Sequence, residues 1–282
     1  MPGDGVAIDE GVRAACIAHV GRSRSAEDAM SPAGARRLQA ILDLAVDLRE
    51  GDALPPTFHW AYLPDEVPQA DIGADGHERL GLFLPPAPFH RRMWAASEVA
   101  CPAPLILGRP ARRDSTILSV EFKAGRSGSL CFVRIRHAIS QGGGPCVDEV
   151  QTVVYRDRGA VGPALRGPGD PVPEGFLVHD DVQVVRYSAA IHNAHRIHWD
   201  RDHCRDVEGY ADLVVQGPLL ATRLAEAMRG RREGRPVRFA FRGLAPVLAT
   251  TPVRLEVAKD GATARIVRSD GREATVAEMA WA

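Results

Sequence analysis

The sequence predicts an α+β fold built from two similar halves. Alternating apolar and polar residues, typical of half-buried strands, occur in two separate regions, 118–155 and 237–279. A residue pair of the kind that begins helices precedes each region, Ser-Pro at 31–32 and Gly-Pro at 217–218. A stretch rich in glycine and proline, 158–175, separates the two sets. Each half is therefore expected to contain one long helix and an antiparallel meander.

The first half is predicted to cover residues 1–157, the linker 158–175 and the second half 176–282. In the first half Ser31 suits a helix N-cap and Pro32 the first helical position. An apolar stripe at helical spacing continues that helix towards Gly51; its members are Leu38, Ile41, Leu42, Ala45 and Val46. Residues 51–88 are rich in Pro, Gly and Asp and predict a long loop, and His59, Trp60 and Tyr62 within it favour an ordered one.

Three strands are predicted after this loop. The first has Leu118, Val120 and Phe122 on one face, the second has Val133 and Ile135, and the third covers 150–155. In the second half 182–187 predicts a strand, and a helix from Pro218 presents Leu220, Leu224 and Met228, with Gly230 at the C′ position. Four further strands are predicted at 237–242, 253–258, 264–267 and 274–279.

The overall composition excludes several classes of function. The chain has 282 residues, 45% hydrophobic and 25% charged, and a net charge of -1, so no general attraction to nucleic acid or anionic membranes is expected. No apolar run approaches the roughly 20 residues that span a bilayer, and the N-terminus lacks the features of a signal peptide. Five scattered cysteines without a Cys-x-x-Cys pair indicate free thiols rather than disulfides or structural zinc. A cytoplasmic protein without a membrane or nucleic-acid partner is predicted.

Proton-handling groups are concentrated in one stretch, residues 192–200. It holds His192, His195 and His198, together with Asn193 and Asp200. On one turn of helix, residues three apart share a face, so the second and third histidines are expected to lie together. A histidine can act as acid or base near neutral pH.

Gly217 follows this stretch at a helix start and offers a backbone N–H to a developing oxyanion. Proton transfer beside an oxyanion site suits addition or loss of water at an acyl thioester. Two alternatives remain open. The histidines are structural, or they bind a metal together with Asp200; three-residue spacing splays His192 away from His198, so no metal is predicted.

Several longer motifs resemble one enzyme family. They are 187–200 (YSAAIHNAHRIHWD), 208–218 (EGYADLVVQGP), 83–95 (FLPPAPFHRRMWA), 125–128 (GRSG) and 241–246 (FRGLAP). Together they are similar to the double-hotdog hydratases of the MaoC-like group. These include mesaconyl-CoA hydratases, also called 3-methylfumaryl-CoA hydratases, and the fungal mitochondrial 3-hydroxyacyl-thioester dehydratase. The resemblance covers most of the chain from about residue 21 onward.

The resemblance implies a double hotdog, with each half wrapping its sheet around one of the two helices. It also implies a catalytic pair, because MaoC-like enzymes have an Asp-x-Asn-Pro-x-His motif. By spacing, the Asp of that motif falls on Asn193, its Asn on His195 and its His on His198. His198 is then expected to be the base and Asn193 an orienting group, with Gly217 as the oxyanion donor.

Substrate contacts are expected from Arg91, Arg92 and Trp94 in the first half and from Tyr187 and Gln216 in the second. An arginine can hold a CoA phosphate or a substrate carboxylate with paired hydrogen bonds; the alternative is a solvated arginine pair beside a core aromatic. The chain departs from the residues usual in that family at seven positions: Ile191, His192, Ala211, Asp212, Gln216, Ala96 and Ser97.

The predicted function is hydration of an α,β-unsaturated acyl-CoA or acyl-carrier-protein thioester, or the reverse dehydration. A branched C5 dicarboxyl-CoA such as mesaconyl-CoA is the first candidate substrate, with no cofactor besides the CoA of the substrate and a homodimer as the possible assembly. One alternative is a hotdog thioesterase in which Asp200 activates water. The other is a non-catalytic acyl-binding subunit that needs a partner.

Overall fold

The computed structural model describes residues 8–125, 128–157, 162–166 and 169–282. Its elements occur in the order α1 (Glu10–Ile17), β1 (Ser23–Asp28), α2 (Pro32–Ile41), β2 (Arg91–Ala100), β3 (Ala111–Gly125), β4 (Gly128–Gln141), β5 (Gly144–Arg156), α3 (Asp181–Ala190), α4 (Gly217–Arg229), β6 (Pro236–Gly243), β7 (Val253–Val257), β8 (Thr263–Arg268) and β9 (Glu273–Trp281). Short helical turns occupy Phe58–Ala61, Gln69–Asp71, Arg196–His198 and His203–Glu208. Within the described ranges no helix is long and apolar enough to cross a membrane.

The nine strands form one continuous sheet in the order β1-β3-β4-β5-β2-β6-β9-β8-β7. The two halves meet where β2 pairs antiparallel with β6, from Ala96 opposite Arg242 to Ala100 opposite Arg238. The order β3-β4-β5-β2 in the first half is repeated as β7-β8-β9-β6 in the second. The prediction of two helix-plus-meander halves is therefore confirmed.

Helix α4 buries its apolar stripe against this sheet, and α2 buries its own stripe in the same core, where it contacts α3. Helix α4 has a proline in its first turn and buries Leu220, Leu224 and Met228, and it packs on β6, β7, β8 and β9. In α2 the Ser31 side chain accepts a hydrogen bond from the Ala33 N–H, which satisfies one of the free N–H groups of the first turn. Leu38 of this helix belongs to the same core cluster as the residues of α4. The predicted starts of both helices are correct.

The strand predicted at 182–187 is wrong, because these residues lie in helix α3. The Asp180 carboxylate accepts a hydrogen bond from the Gln183 N–H (2.7 Å) and caps the helix. Val184 and Tyr187 face the core at helical spacing, whereas Val182 remains 62% exposed. A run of β-branched residues favoured a strand, but burial at every third or fourth position and an N-cap determine the helix.

Other boundaries also differ from the prediction. Helix α2 ends at Ile41 and not near Gly51, because Asp43 adopts a left-handed backbone with φ 58°. Leu118 is exposed, since an irregularity in the pairing of β3 with β4 shifts the inward position to Ile117. Gly230 is the C-cap of α4 but has φ -69°, so the left-handed C′ conformation expected there is absent.

Three elements were not predicted, namely α1, β1 and β2. The first is a short helix at the N-terminal edge. Strand β1 alternates exposed and half-buried residues that are mostly polar, and β2 buries the polar residues Arg91 and Ser97 where an alternating pattern would show apolar ones. Residues 126–127 of the predicted turn and residues 158–161 and 167–168 of the predicted linker lie outside the described residues. The proposed domain boundaries therefore stay predictions.

Limited proteolysis tests how far the halves depend on each other. We expect the first cleavage between residues 158 and 175, because glycine- and proline-rich connections with few buried contacts are cut first. The two fragments should remain associated, since separating β2 from β6 would expose a sheet edge and apolar surface. Size-exclusion chromatography of the nicked protein shows whether the two fragments remain associated. Fragments that separate and stay soluble would contradict a shared sheet and core.

Candidate functional site

A cavity of about 720 Å³ is lined by residues of both halves. The loop 51–88 and strands β2 to β5 contribute from the first half, and the second contributes 191–198 and the start of α4. Seven of the nine predicted site residues line the cavity: Arg91, Arg92, Trp94, Asn193, His195, His198 and Gly217. The structure thus brings together residues that are more than 100 positions apart.

His198 is held in one tautomer by the backbone. It ends a short helical turn, is 6% exposed, and its Nδ1 lies 2.7 Å from the carbonyl oxygen of Val214. A carbonyl can only accept, so Nδ1 carries the proton and Nε2 has a lone pair. Burial lowers the pKa of His198 to about 4, although the bond to Val214 acts in the opposite direction. His198 is therefore neutral at pH 7, with Nε2 unpartnered among the described residues.

His195 packs its ring against the edge of His198, with the ring centroids 5.6 Å apart. It is also buried, and this burial, together with nearby His198 and Arg92, lowers its pKa well below the ordinary value. The sequence prediction that these two histidines lie together is correct. His195 also contacts the ring of His77, at a centroid distance of 4.6 Å.

Asn193 fixes the turn that precedes the two histidines. Its Oδ1 accepts a hydrogen bond from the His195 N–H (3.1 Å). This is a local side-chain-to-backbone turn of the kind that asparagine favours. Because Asn193 lines the cavity and its Oδ1 is engaged, its amide NH₂ is the group that is left to donate to a ligand.

Gly217 begins α4 and lies against β2. Its N–H has no acceptor among the described residues, as expected for the first residue of a helix. A Cβ at this position would lie 3.3 Å from the carbonyl oxygen of Trp94, a closer approach than most side chains tolerate. A free N–H, the positive end of a helix dipole and close backbone packing thus coincide at the cavity wall.

A loop of the first half docks onto the segment that contains Asn193 and His195. Asp75 accepts a hydrogen bond from the Arg196 N–H through its carbonyl (2.8 Å) and forms an ion pair with Arg92 (2.8 Å) through its carboxylate. Gly76 has φ 90°, and a Cβ there would overlap the carbonyl oxygen of Ala194. Only glycine allows this approach, which makes the loop a support for the candidate catalytic segment.

Arg91 and Arg92, the two cavity arginines predicted from the sequence, both have partners, so they do not form the solvated pair considered as an alternative. Arg91 is buried, donates to the carbonyl of Glu208 and stacks on the Tyr210 ring at 4.6 Å. Arg92 pairs with Asp75. The indole N–H of Trp94 donates to the Ser97 hydroxyl (2.8 Å), and its ring forms part of the cavity wall.

Tyr187 and Gln216, which were predicted to bind substrate, do not line the cavity. Tyr187 is fully buried, with its hydroxyl 3.3 Å from that of Thr222. The Gln216 amide donates to the carbonyl of Val184 (2.7 Å) and to the Ser188 hydroxyl (2.8 Å). Both therefore join α3 to α4 behind the site, and the predicted substrate contact is corrected to a supporting role.

Asp200 is also engaged outside the cavity. It pairs with Arg196 (2.6 Å) and accepts a hydrogen bond from the His203 N–H (2.9 Å), and both contacts keep its pKa below the usual range. Among the described residues no group of three or more potential ligands is arranged to hold a metal ion. The side chain considered for a thioesterase base is thus occupied as an anchor of the histidine segment.

Sequence reasoning missed several cavity residues: Gly76, His77, His137, Glu149 and Gln151. Glu149 follows Asp148 in a strand, and the sequence does not indicate which of the two acids points inward. Glu149 is only 2% exposed, whereas Asp148 is half-buried and pairs with Arg136. The available signal was the period of two in β5, which places Glu149 and Gln151 on the face of the buried Val147 and Val153.

Comparison with known proteins identifies the family. The model of the family named hydroxyacyl-thioester dehydratase type 2 matches residues 57–249. The chain belongs to this family. The mesaconyl-C(4)-CoA hydratase of Chloroflexus aurantiacus is 38% identical over 252 residues, 87% of this chain and 89% of that protein. The mitochondrial hydroxyacyl-thioester dehydratase type 2 of Schizosaccharomyces pombe is 28% identical over 269 residues, 83% of this chain and 90% of that protein.

Solved structures support the fold. HtdX of Mycobacterium tuberculosis superposes with a TM-score of 0.65 at 16% identity, over 93% of this chain and 100% of that one. A second protein of the same organism, described as a double hotdog, gives a TM-score of 0.55 at 12% identity, over 92% and 95%. The predictions of a double hotdog and of membership in this dehydratase and hydratase family are confirmed.

The docking of the loop onto the histidine segment is tested by Gly76→Ala, with Gly51→Ala as the matched control. Both glycines have φ 90°, but a Cβ at Gly51 meets nothing within 4 Å. The control should lose about 1–2 kcal/mol of unfolding free energy, because a side chain strains the backbone at this φ. Gly76→Ala should lose about 1–3 kcal/mol more, because the added methyl group displaces Ala194. Chemical denaturation measures both, and equal losses would contradict a close docking contact.

Proposed function

We propose that this protein is a hydro-lyase that adds water to an α,β-unsaturated acyl-CoA thioester, or removes water from the 3-hydroxyacyl thioester. The observation that supports this best is the position of a neutral His198 in the same cavity as the free N–H of Gly217. One group accepts a proton from water and the other stabilises negative charge on the thioester oxygen. Family membership supports the same reaction class.

His198 is the proposed base. With Nδ1 engaged by Val214, its Nε2 accepts a proton from water as the water attacks the β-carbon, and the resulting imidazolium can return a proton to the α-carbon. Asn193 is the proposed water-orienting group through its free amide NH₂, which donates but cannot take a proton. His195 is proposed to keep the His198 ring in place through their edge-on contact.

Gly217 is the proposed oxyanion donor. As water adds, negative charge develops on the thioester oxygen in an enolate-like transition state, and a preorganised N–H at a helix N-terminus stabilises it. Pro218 has no N–H, so the donor at this position is Gly217. The absence of a side chain at Gly217 lets the start of α4 approach the Trp94 carbonyl of β2 closely.

A branched C5 dicarboxyl-CoA such as mesaconyl-CoA is the proposed first substrate. The support is the similarity to a mesaconyl-C(4)-CoA hydratase over most of both chains. Hydration involves no net oxidation or reduction, so the proposed reaction requires no redox cofactor, and CoA enters with the substrate. The five free cysteines suit the proposed cytoplasmic location. The homodimer stays a proposal.

The direct test is to incubate the purified protein with a panel of enoyl-CoA esters that includes 3-methylfumaryl-CoA. Mass spectrometry should show a product heavier by one water with the thioester intact, and a thiol reagent should detect no free CoA. Release of CoA would favour the thioesterase alternative. If no ester changes, the alternative of a non-catalytic acyl-binding subunit gains support.

His198→Ala should lower kcat/KM for hydration by about 10²–10⁴-fold, as expected when a general base is lost. His198→Gln should lower kcat/KM by a similar factor, since the glutamine amide can still donate to the Val214 carbonyl but cannot act as a base. The exposed His90, outside the cavity, provides the control His90→Ala. Circular dichroism verifies that each variant is folded. Near-normal activity of a folded His198→Gln would remove this residue from the mechanism.

The pH dependence of kcat/KM reports the state of His198 in the free enzyme. Neutral His198 is the active form, and its pKa lies near 4, so activity should persist as the pH falls from about 7 to about 5. A base with the ordinary histidine pKa of about 6.5 would already lose more than nine-tenths of its activity by about pH 5. Rates are taken immediately after dilution into each buffer, and recovery at pH 7 shows that the protein stayed folded. A loss of activity centred near the ordinary histidine pKa would contradict the assignment of His198 as the base.

A further inference from the structure

The cavity continues from the proposed catalytic groups to a polar floor in the first half. The polar floor consists of Ser115, His137, Glu149 and Gln151 on strands β3, β4 and β5. In the sheet register Ser115 lies opposite His137, and His137 lies opposite Glu149. Gln151 lies two residues beyond Glu149 on the same face. The last three of these residues line the cavity.

One part of the polar floor leaves a donor free. The Ser115 hydroxyl lies 2.8 Å from His137 Nδ1, and His137 Nε2 lies 3.1 Å from Gln151 Oε1. Because an amide oxygen only accepts, Nε2 of His137 carries the proton and Nδ1 accepts from the serine. Burial lowers the pKa of His137, which agrees with a neutral ring. The Gln151 amide NH₂ then has no partner among the described residues.

The other part of the polar floor holds a buried charge. Glu149 accepts hydrogen bonds from His59 Nε2 (2.9 Å), the Trp60 indole (3.0 Å) and the Ser97 hydroxyl (2.6 Å). Burial alone would raise the pKa of Glu149, but the bond and charge of His59 outweigh it and lower the pKa to about 2. His59 lines the cavity with Nε2 engaged, so its Nδ1 is the nitrogen left for a ligand.

Stability alone does not account for these residues. The inner face of a sheet that covers a core is usually apolar, and a buried polar group costs free energy unless every donor and acceptor is satisfied. The Gln151 amide donor is unsatisfied at a cavity wall, and His59 Nδ1 also has no partner there among the described residues. In addition, seven arginines and three carboxylates line the cavity, and Arg92 and Arg268 pair with two further acids, Asp75 and Asp270, outside the lining. An anionic group, which accepts hydrogen bonds, is the kind of ligand that suits the Gln151 donor at such a wall.

The distance to the proposed catalytic groups limits the length of the ligand. Gly217 lies against Trp94, Trp94 pairs with Val153, and Gln151 is two residues along the strand from Val153. Two residues of a strand span about 6–7 Å. The path from Gly217 to the Gln151 amide thus crosses one strand spacing of about 5 Å and about 6–7 Å along β5, which is the scale of a short acyl chain.

We propose that Gln151 Nε2 and His59 Nδ1 bind a carboxylate at the far end of a short acyl chain, so that the polar floor selects dicarboxyl-CoA esters. This rests on the proposed acyl-CoA hydratase function and assigns its substrate specificity to particular residues. Binding in this way requires a proton on each ring nitrogen of His59, so that the ring donates both to Glu149 and to the ligand carboxylate. Glu149 is then a positioning residue for His59, held in turn by Trp60 and Ser97.

The test uses two saturated esters that cannot be hydrated, so binding is measured apart from catalysis. 3-Methylsuccinyl-CoA ends in a carboxylate, and isovaleryl-CoA has a methyl group in place of that carboxylate. Isothermal titration calorimetry gives Kd for each. We expect the unaltered protein to bind the carboxylate ester at least about tenfold more tightly, as for a hydrogen bond to a charged group. Equal affinity or a preference for isovaleryl-CoA would overturn the proposal.

Gln151→Leu should reduce the ratio of the two affinities by about 10–100-fold. Gln69→Leu makes the same chemical change at an exposed position outside the cavity and should keep the ratio. His59→Gln should also reduce the ratio and serves as the second variant if Gln151→Leu melts at a lower temperature. Variants that weaken both esters equally, or neither, would show that these residues are structural. A clear carboxylate preference without any hydration of 3-methylfumaryl-CoA would instead locate the failure in the proposed function.

Discussion

The backbone of Val214 is the point at which the candidate site is fixed. Its N–H donates to the carbonyl of Ile197 (2.8 Å), and its carbonyl accepts from His198 Nδ1 (2.7 Å). The next residue, Val215, donates to Val247 (2.8 Å) and so joins this segment to the connection between β6 and β7. Gly217 follows two residues later at the start of α4. One short segment therefore sets both the tautomer of His198 and the position of the proposed oxyanion donor, and buried backbone bonds of this kind are costly to break.

The pairing of β2 with β6 gives this segment its counterpart in the first half. It brings Trp94 against Gly217 and places the inward residues of β5 beside the same cavity. The loop at Asp75 and Gly76 then closes onto Ala194 and Arg196. The proposed chemistry belongs to the second half and the proposed recognition of the acyl end to the first. A single hotdog would supply only one of these two sets of groups.

Sequence patterns predicted what is determined locally. The starts of α2 and α4 followed from proline in the first turn, and most strands followed from alternation, because both signals lie within a few residues of the element they define. Helix α3 was missed because three valines favour a strand. The Asp180 cap is a local signal for the helix, whereas its contacts with Gln216 and Thr222 are far along the chain. Glu149 and Gly76 were missed because their partners are distant in sequence. Their roles depend on His59 and Ala194, which no local pattern connects to them.

The central claim is that the fold presents a neutral His198 whose Nε2 is free to accept a proton. Nitrogen-15 NMR of protein labelled at the histidine rings measures this directly, with the His198 signals assigned by their loss in His198→Gln. The account predicts a neutral ring with Nδ1 protonated and Nε2 unprotonated, persisting from about pH 7 to about pH 5. An imidazolium at neutral pH, or a ring protonated at Nε2, would contradict it.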